Sequence, residues 1–429
     1  MNEAITYLMS LPRFDRQGAV ALKPGLERIE ALLERMGNPH RTYASVHVGG
    51  TNGKGSTASL IASIASAAGR RVGLHTSPHL AHVAELMRVD GAPADETWIA
   101  RAVMQHEPAL REVGPSFFEA TVALSLAYFA ERNVELAVVE VGLGGRLDAT
   151  NVLVPDVSVI TNVGLEHQQI LGDTLEDIAR EKAGIIKTGV PVVTAVGDAL
   201  RELFRMVAQR RGAPFHHIAD EMILQQEYVA LRGSFFSLGS PIRTYDGLFL
   251  ELAGRHQIRN AVTAVRAAEL VLEELRAGAR PAFDGLREVR TRSGLRGRFD
   301  VLQEDPLVVV DVAHNPDGLA VVLEHLRSCG GLGGRLTVLL GVMRDKDVSG
   351  MGGLLSALGA TVHPVSIRGE RALTPGELAA ALQVVGVSVA EPCEVHEGLQ
   401  AFLSDASRPD TLLITGSHLV LAQLEGAVF

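Results

Sequence analysis

The chain is poor in cysteine: Cys329 and Cys393 are the only two in 429 residues, and they form no CxxC or CxxxxC pair. That excludes a disulfide scaffold and a thiolate zinc site and fits a reducing compartment. It also lacks an excess of basic charge. Lys plus Arg number 40 against 50 Asp plus Glu, a formal charge of −10, so general nucleic-acid binding is not expected. No apolar run approaches the ~20 residues that span a bilayer, and no membrane association is expected. The opening MNEAITYLMSLPRFD has no basic stretch leading into an apolar one, so it does not read as a secretory signal. Internal repeats and low-complexity tracts are missing too. What is present is apolar: 47% hydrophobic and 21% charged residues exclude a disordered chain. The length exceeds what one core usually serves. The expectation is a cytoplasmic globular protein of two domains, monomeric because no exposed heptad or apolar stripe asks for a partner.

Hydrophobic periodicity gives the fold class. Up to residue 200, helix-period segments (25–37, 56–69, 95–112, 117–132, 174–187) alternate with apolar, β-branched runs (45–50, 71–76, 134–142, 156–164, 190–196). Fully apolar strands between helices predict a mainly parallel sheet covered on both faces. Residues 228–253 change character, with short alternating runs broken by glycine and proline, and predict an antiparallel excursion. A helix pattern returns at 258–276. LREVRTRSGLRGR (286–298) carries five arginines and one acid and reads as a basic hinge. Beyond it, strands at 306–313, 335–342, 361–367 and 411–417 alternate with helices. The predicted architecture is α/β in two domains. An N-terminal P-loop-type domain (1–290), with a mainly parallel sheet flanked by helices, precedes a hinge (291–298) and a smaller Rossmann-like α/β domain (299–429).

Polar residues gather where the buried strands end. In HVGGTNGKGS (47–56) a strand runs into glycines and a lysine, and a helix follows. Backbone N–H groups of such a turn, with the helix N-terminus, form an anion site. Lys54 reaches the terminal phosphates in this reading, and the Ser56 or Thr57 hydroxyl is available to Mg²⁺; Gly55 separates lysine from serine, a departure from the usual GxxxxGK followed directly by Ser or Thr. VEVGLGGRLDATN (139–151) ends a strand on Glu140 and continues through three glycines, which suits either a metal or phosphate at the strand edge or an ordinary loop. Gly142, Gly144 and Gly145 do not match GxGxxG. Asn162 to His167 and Ser77-Pro78-His79 again put polar groups after strands, a set compatible with a hard divalent cation. Arg180 to Lys187 ends a helix and reads, on its own, as a solvated charged face. Asp311 to Pro316 opens the second domain in the same style.

In this order the segments HVGGTNGKGS, TSPHL, VEVGLGGRLDATN, ITNVGLEHQQILGDT, IAREKAGIIK, NAVTAV, GRFD, DVAHNP and GVMRDKD resemble the folylpolyglutamate synthase and dihydrofolate synthase family, a branch of the Mur-type ligases. The resemblance runs from about residue 25 to 420. It implies ATP-dependent amide formation between a pteroate-type carboxylate and L-glutamate, with dihydropteroate, reduced folates or both as acceptors. Thr51, Asn52, Gly53, Lys54, Gly55 and Ser56 would hold the ATP phosphates, and Asn260, Arg298, Asp311 and His314 would complete the nucleotide site. Ser77, Glu140 and His167 would hold magnesium, with two Mg²⁺ sites implied. Lys54, Glu140, His167 and Lys182 would be catalytic, Lys182 as the carbamylated lysine of this family. Phe117, Phe118, Glu119, Asp148 and Ala149 would line the pterin pocket. Three departures stand out. Glu166 precedes His167 where the family usually has aspartate, Leu86 follows Glu85 where it has arginine, and Arg296-Gly297-Arg298 replaces Pro-Gly-Arg. The alternatives weighed are a folylpolyglutamate-only synthase, another Mur-type amino-acid ligase, a P-loop GTPase or kinase-like switch lacking NKxD, and a non-catalytic nucleotide-binding scaffold. The arginines of 286–298 are either a solvated hinge or a seat for a polyanionic glutamyl tail.

Overall fold

A computed structural model describes residues 3–13, 25–369 and 371–424. The chain divides into two compact units. The first comprises the described residues up to 228 with 235–251 and 256–295, and the second 229–234, 252–255 and the described residues from 296 on.

The first unit is built on eight strands: β1 (Ala44–Gly49), β2 (Val72–His75), β3 (Met87–Val89), β4 (Ala92–Pro93), β5 (Leu136–Glu140), β6 (Val157–Ile160), β7 (Val192–Thr194) and β8 (Phe215–His217). Their order is β4-β3-β2-β5-β1-β6-β7-β8. β2, β5, β1, β6, β7 and β8 run parallel, and β3 and β4 add an antiparallel edge. The parallel strands are apolar on both faces because helices cover both. One face, that of Val139 and Ile160, packs with Leu32, Trp98 and Phe129 and, further along, with Ile185 and Phe204, and the helix Lys54–Ala67 covers the other. Each such side chain stabilises the fold by roughly 1.5–3 kcal/mol. A three-stranded antiparallel sheet follows, β9 (Ile223–Ala230), β10 (Gly233–Gly239) and β11 (Thr244–Leu250), with β10 central.

The helix Lys54–Ala67 has little amphipathic character, since Gly55 to Ala65 are all buried. Its small residues permit close crossing: a Cβ on Gly285 would lie 2.5 Å from the Ile64 Cα, and the Ser63 hydroxyl donates to the Gly285 carbonyl at 2.7 Å. Part of the stretch read as a hinge is ordered structure of the first unit. Val289–Ser293 is helical, with Val289 and Ser293 buried, and the units separate between Leu295 and Arg296. Charge density drew attention to the arginines and hid the buried residues between them.

The second unit has six strands, β12 (Asp300–Glu304), β13 (Leu307–Val310), β14 (Leu336–Leu340), β15 (Thr361–Pro364), β16 (Ser388–Val389) and β17 (Thr411–Thr415), ordered β12-β13-β17-β14-β15-β16. All pairs are parallel except β12 with β13. Val309, Leu319, Val338 and Leu413 form its core. No helix among the described residues is long and apolar enough to cross a membrane.

Candidate active site

β1 lies between β5 and β6, so the C-terminal ends of three adjacent parallel strands open on one crevice edge, where open α/β sheets bind ligands. β1 delivers the glycine-rich loop there. Gly53 has φ 82°, a left-handed conformation that lets the chain turn straight into the helix starting at Lys54. The loop is tied to the segment after β6. The Asn162 side-chain oxygen accepts from the N–H of Thr51 (3.2 Å) and Asn52 (2.8 Å), and Thr161 donates to the Asn52 carbonyl at 2.7 Å. The Gly164 N–H donates to the Thr51 hydroxyl at 3.0 Å. Lys54 Nζ rests on the Thr51 carbonyl at 2.9 Å. Ser56 and Thr57 are buried in the first turn, and the Thr57 hydroxyl has no protein partner. A helix of 14 residues thus presents its N-terminal N–H groups, its dipole and a lysine at one point. Asn260 belongs to the same place: a Cβ on Gly53 would lie 2.5 Å from its side-chain oxygen, and its amide donates to Gln257 at 3.0 Å.

Acids and a second lysine line the neighbouring strand ends. Glu140 closes β5, buried, and accepts the Ser77 N–H at 3.1 Å. Glu166 and His167 interact at 3.2 Å. Burial opposes ionisation of Glu166, but the His167 hydrogen bond and the charges of Lys54 and Lys182 outweigh it and hold the carboxyl below its usual range. Lys182 is 3% exposed and donates to the Gly50 carbonyl at 2.8 Å. Burial and then the charge of Lys54 push its ammonium down to about 7, against the pull of Glu166 and Asp148. The solvated-face reading of 180–187 therefore fails at Lys182, because the helix turns that residue inward. Among the described residues no three His, Cys, Asp or Glu side chains gather as a metal cage. The Ser77–Glu140 pair still suits Mg²⁺, which commonly takes one or two carboxylates and fills its shell with waters and phosphate oxygens.

The residues expected around a pterin pocket fall beside this edge. Phe117, Phe118 and Glu119 open the helix Phe117–Glu131, whose N-cap is Ser116. Glu119 has a structural task there: it closes a capping box with Ser116 and pairs with Arg28 at 3.2 Å. Asp148 accepts from the Leu143 N–H at 2.8 Å and the Thr150 N–H at 3.0 Å, and also from the Thr150 hydroxyl. Burial raises its carboxyl above the ordinary range in spite of those donors. Ala149 is buried in the following 3₁₀ turn.

The glycines of VGLGGRLDATN serve packing rather than a ligand cradle. A Cβ on Gly142 would meet the Phe118 ring at 2.4 Å, and one on Gly145 would meet the Glu181 carbonyl at 2.9 Å. Gly184 answers from the other side, its missing Cβ only 2.4 Å from the Arg146 Cβ. REKAG and LGGR are thus two halves of one close contact, sealed by Arg146 and Glu181 at 2.8 Å. Glu85, the acid of the altered Glu-Arg position, accepts the N–H groups of Leu80, Ala81 and His82 at 2.7–2.9 Å and so shapes the loop after Ser77. Arg292 is committed to Glu288 at 2.7 Å and to the Ser66 hydroxyl, which weakens the glutamyl-tail reading.

Arg298, Asp311 and His314 belong to the second unit. Asp311 accepts from the N–H of Phe299 and Ala313, both at 2.8 Å, and burial raises its carboxyl to about 6 against the opposing charge of Arg298. His314 Nδ1 lies 3.0 Å from the Val312 carbonyl. Sequence reasoning passed over His47 and Thr150, noted Glu85 only as the neighbour of Leu86, and saw Asn162 only as a strand-end polar group. The available signal was a polar residue inside, or just after, an otherwise apolar strand.

Two compact α/β units, the first with a lysine-bearing phosphate loop and a buried lysine–carboxylate cluster on adjacent strand ends, define the class: residues 48–268 match the Mur ligase middle domain, and 297–418 the glutamate ligase domain of Mur ligases. Within that class, the dihydrofolate synthase/folylpolyglutamate synthase of Bacillus subtilis is 36% identical over 413 residues, covering 94% of both chains. The Escherichia coli protein of the same name is 30% identical and covers 93% of this chain and 90% of its own. The structure of Mycobacterium tuberculosis folylpolyglutamate synthase complexed with ADP superposes with a TM-score of 0.88 at 29% identity, covering 98% of this chain and 96% of that one. E. coli FolC in complex with DHPP and ADP gives 0.87 at 29% identity, with the same coverage. The chain belongs to the folylpolyglutamate synthase/dihydrofolate synthase family of Mur ligases.

Proposed function

We propose that the protein is an ATP-dependent ligase that joins L-glutamate to a pteroate or folate carboxylate through an acyl phosphate, acting as folylpolyglutamate synthase and also as dihydrofolate synthase. The observation that carries this reading is the joining of the Lys54 loop, Asn260 and the buried Lys182–Glu166 cluster at one sheet edge. The nucleotide complexes of its relatives point the same way.

A carboxylate does not acylate an amine at neutral pH without activation. In the proposed reaction it attacks the ATP γ-phosphorus and ADP departs. The neutral amine of glutamate then adds to the acyl phosphate, and inorganic phosphate leaves from the tetrahedral intermediate. The loop N–H groups of Thr51 to Ser56 and the Lys54 ammonium bind the phosphates and meet the charge that builds during transfer; such work is mainly positioning and electrostatics. Asn260, Arg298, Asp311 and His314 are assigned to the nucleotide, and Phe117, Phe118, Asp148 and Ala149 to the pterin end. Glu119 orders that end by holding the helix start. Ser77, Glu140 and His167 would hold Mg²⁺, with a second ion facing Lys182. When bound, the ions neutralise phosphoryl oxygens. The buried Lys182 amine suits carbamylation: the ammonium first gives up one proton, the neutral nitrogen then bonds to CO₂ and loses a second, and a cation becomes an anion. We also place the enzyme in the cytoplasm as a monomer.

Phosphate release with MgATP and L-glutamate, with dihydropteroate or tetrahydrofolate supplied separately, tests the reading. Stimulation by both acceptors is expected. Stimulation by tetrahydrofolate alone restricts the enzyme to polyglutamylation, and stimulation by neither assigns the site to another carboxylate.

A further inference from the structure

His47 is a polar ring in an apolar strand. It is fully buried between Val46 and Val48, and burial, then the charges of Lys187 and His75, push its imidazolium down to about 3, so it stays neutral. Its Nε2 lies 2.8 Å from the Thr150 hydroxyl, while its Nδ1 is buried without a partner. With Asp148 ionised, the proton count along this chain has one solution. Thr150 gives its single hydroxyl proton to the Asp148 carboxylate, so its oxygen can only accept from His47, and the ring carries its proton on Nε2. The relay is directed: His47 Nε2–H to Thr150, Thr150 O–H to Asp148.

The register gives an internal control. His47, Val139 and His75 are paired across β1, β5 and β2, so all three project from one face of the sheet. His75 is equally buried, but its Nδ1 bonds the Ser125 hydroxyl at 2.9 Å, which donates to the Thr121 carbonyl and ends within a helix. Only the His47 chain ends on a carboxylate. His47 also lies two residues before Gly49, where the phosphate loop begins. The strand that positions the phosphates therefore also positions Asp148.

We propose that His47 is a positioning residue: through the Thr150 hydroxyl it fixes the Asp148 carboxylate in the pterin pocket and thereby sets affinity for the pteroate-type substrate. This rests on the assignment of Asp148 to that pocket, so Asp148→Ala is measured first, in the full-length enzyme with MgATP, L-glutamate and dihydropteroate. Thr150→Val is expected to raise KM for dihydropteroate about tenfold, with kcat and KM for ATP held within about threefold, and Thr150→Ser to return it close to wild type. His47→Leu should match Thr150→Val, and the double variant should be no worse than either, since one relay is broken once. If the valine or leucine variant does not fold, a second pair keeps the question open to refutation. His47→Gln keeps an amide donor near the Nε2 position and should retain a low KM, whereas His47→Asn should not. A raised KM in Asp148→Ala with an unchanged KM in Thr150→Val overturns the relay alone. An unchanged KM in Asp148→Ala overturns the pocket assignment and the relay with it.

Discussion

Two glycine-rich loops leave adjacent parallel strands, one after β1 and one after β5, and they use glycine for opposite purposes. In the first, Gly53 adopts φ 82° so that a helix can start at once with its N–H groups directed at a ligand, and the absent side chain makes room for Asn260. In the second, Gly142 and Gly145 face Phe118 and the helix Leu175–Ala183, where a Cβ would collide with protein. The first loop opens the start of a helix beside Asn260, the proposed phosphate site; the second removes bulk so that two halves of the fold meet. Glycine content therefore says little about phosphate binding. The flanking lysine and the helix start behind it say more.

Substitutions in the two loops should separate chemistry from packing. The largest effect is expected for Lys54→Ala, which removes the charge proposed to meet the transferred phosphoryl group. Loss of one such contact commonly costs about 2.7–4 kcal/mol, or 10²–10³ in rate. Acceptor-dependent phosphate release should fall by at least that factor while the urea unfolding midpoint stays put, and near-normal turnover would refute the assignment. Gly184→Ala should do the reverse. Its Cβ would press on the Arg146 backbone at 2.5 Å, and overpacking of this kind costs about 1–3 kcal/mol, read as a lower unfolding midpoint. A variant as stable as wild type would mean the LGGR–REKAG contact yields easily. Gly53→Ala sits between them: a left-handed alanine costs about 1–2 kcal/mol, and here it also displaces Asn260. A raised KM for ATP with a small stability loss is expected, and an effect on stability alone would detach the loop from nucleotide binding.

The most pH-dependent effect concerns Lys182. Its ammonium is lowered from 10.5 to about 7 by burial and Lys54, so between those values the unfolded chain binds more protons and stability rises with pH. Below about 7 the full cost of burying the charge is present. Lys182→Met should therefore stabilise the fold most near pH 6, with the advantage fading toward pH 10. Urea titrations in bicarbonate-free buffer check this, and a pH-independent difference would place the proton elsewhere.

The fold was largely legible. β-branched runs between helix-period segments gave the parallel strands of both sheets, because strands covered on both faces must be apolar throughout. The turn from β1 into the helix Lys54–Ala67 was legible too, since strand, glycines, lysine and helix are consecutive. Lys182 was not: charge along 180–187 reads as a solvated face, and only the rotation of that helix against the loop shows one lysine buried. Glu119 carries a structural task besides, one that Ser116 three residues earlier already spells as a capping box. The break between Leu295 and Arg296 falls inside the expected 291–298 hinge, although Ser293 within it is buried at the end of the helix Val289–Ser293.

By itself, the sequence determined which segments are strands, which are helices, and that polar residues gather at the strand ends, since these follow from local periodicity. Only the tertiary structure decided that Glu181 meets Arg146, that Asn260 fills the space beside Gly53, and that His47 reaches Asp148 through Thr150. Those partners lie 35, 207 and 101 residues apart along the chain. Their contacts come from the sheet order and from helices docking on it, which local patterning does not encode.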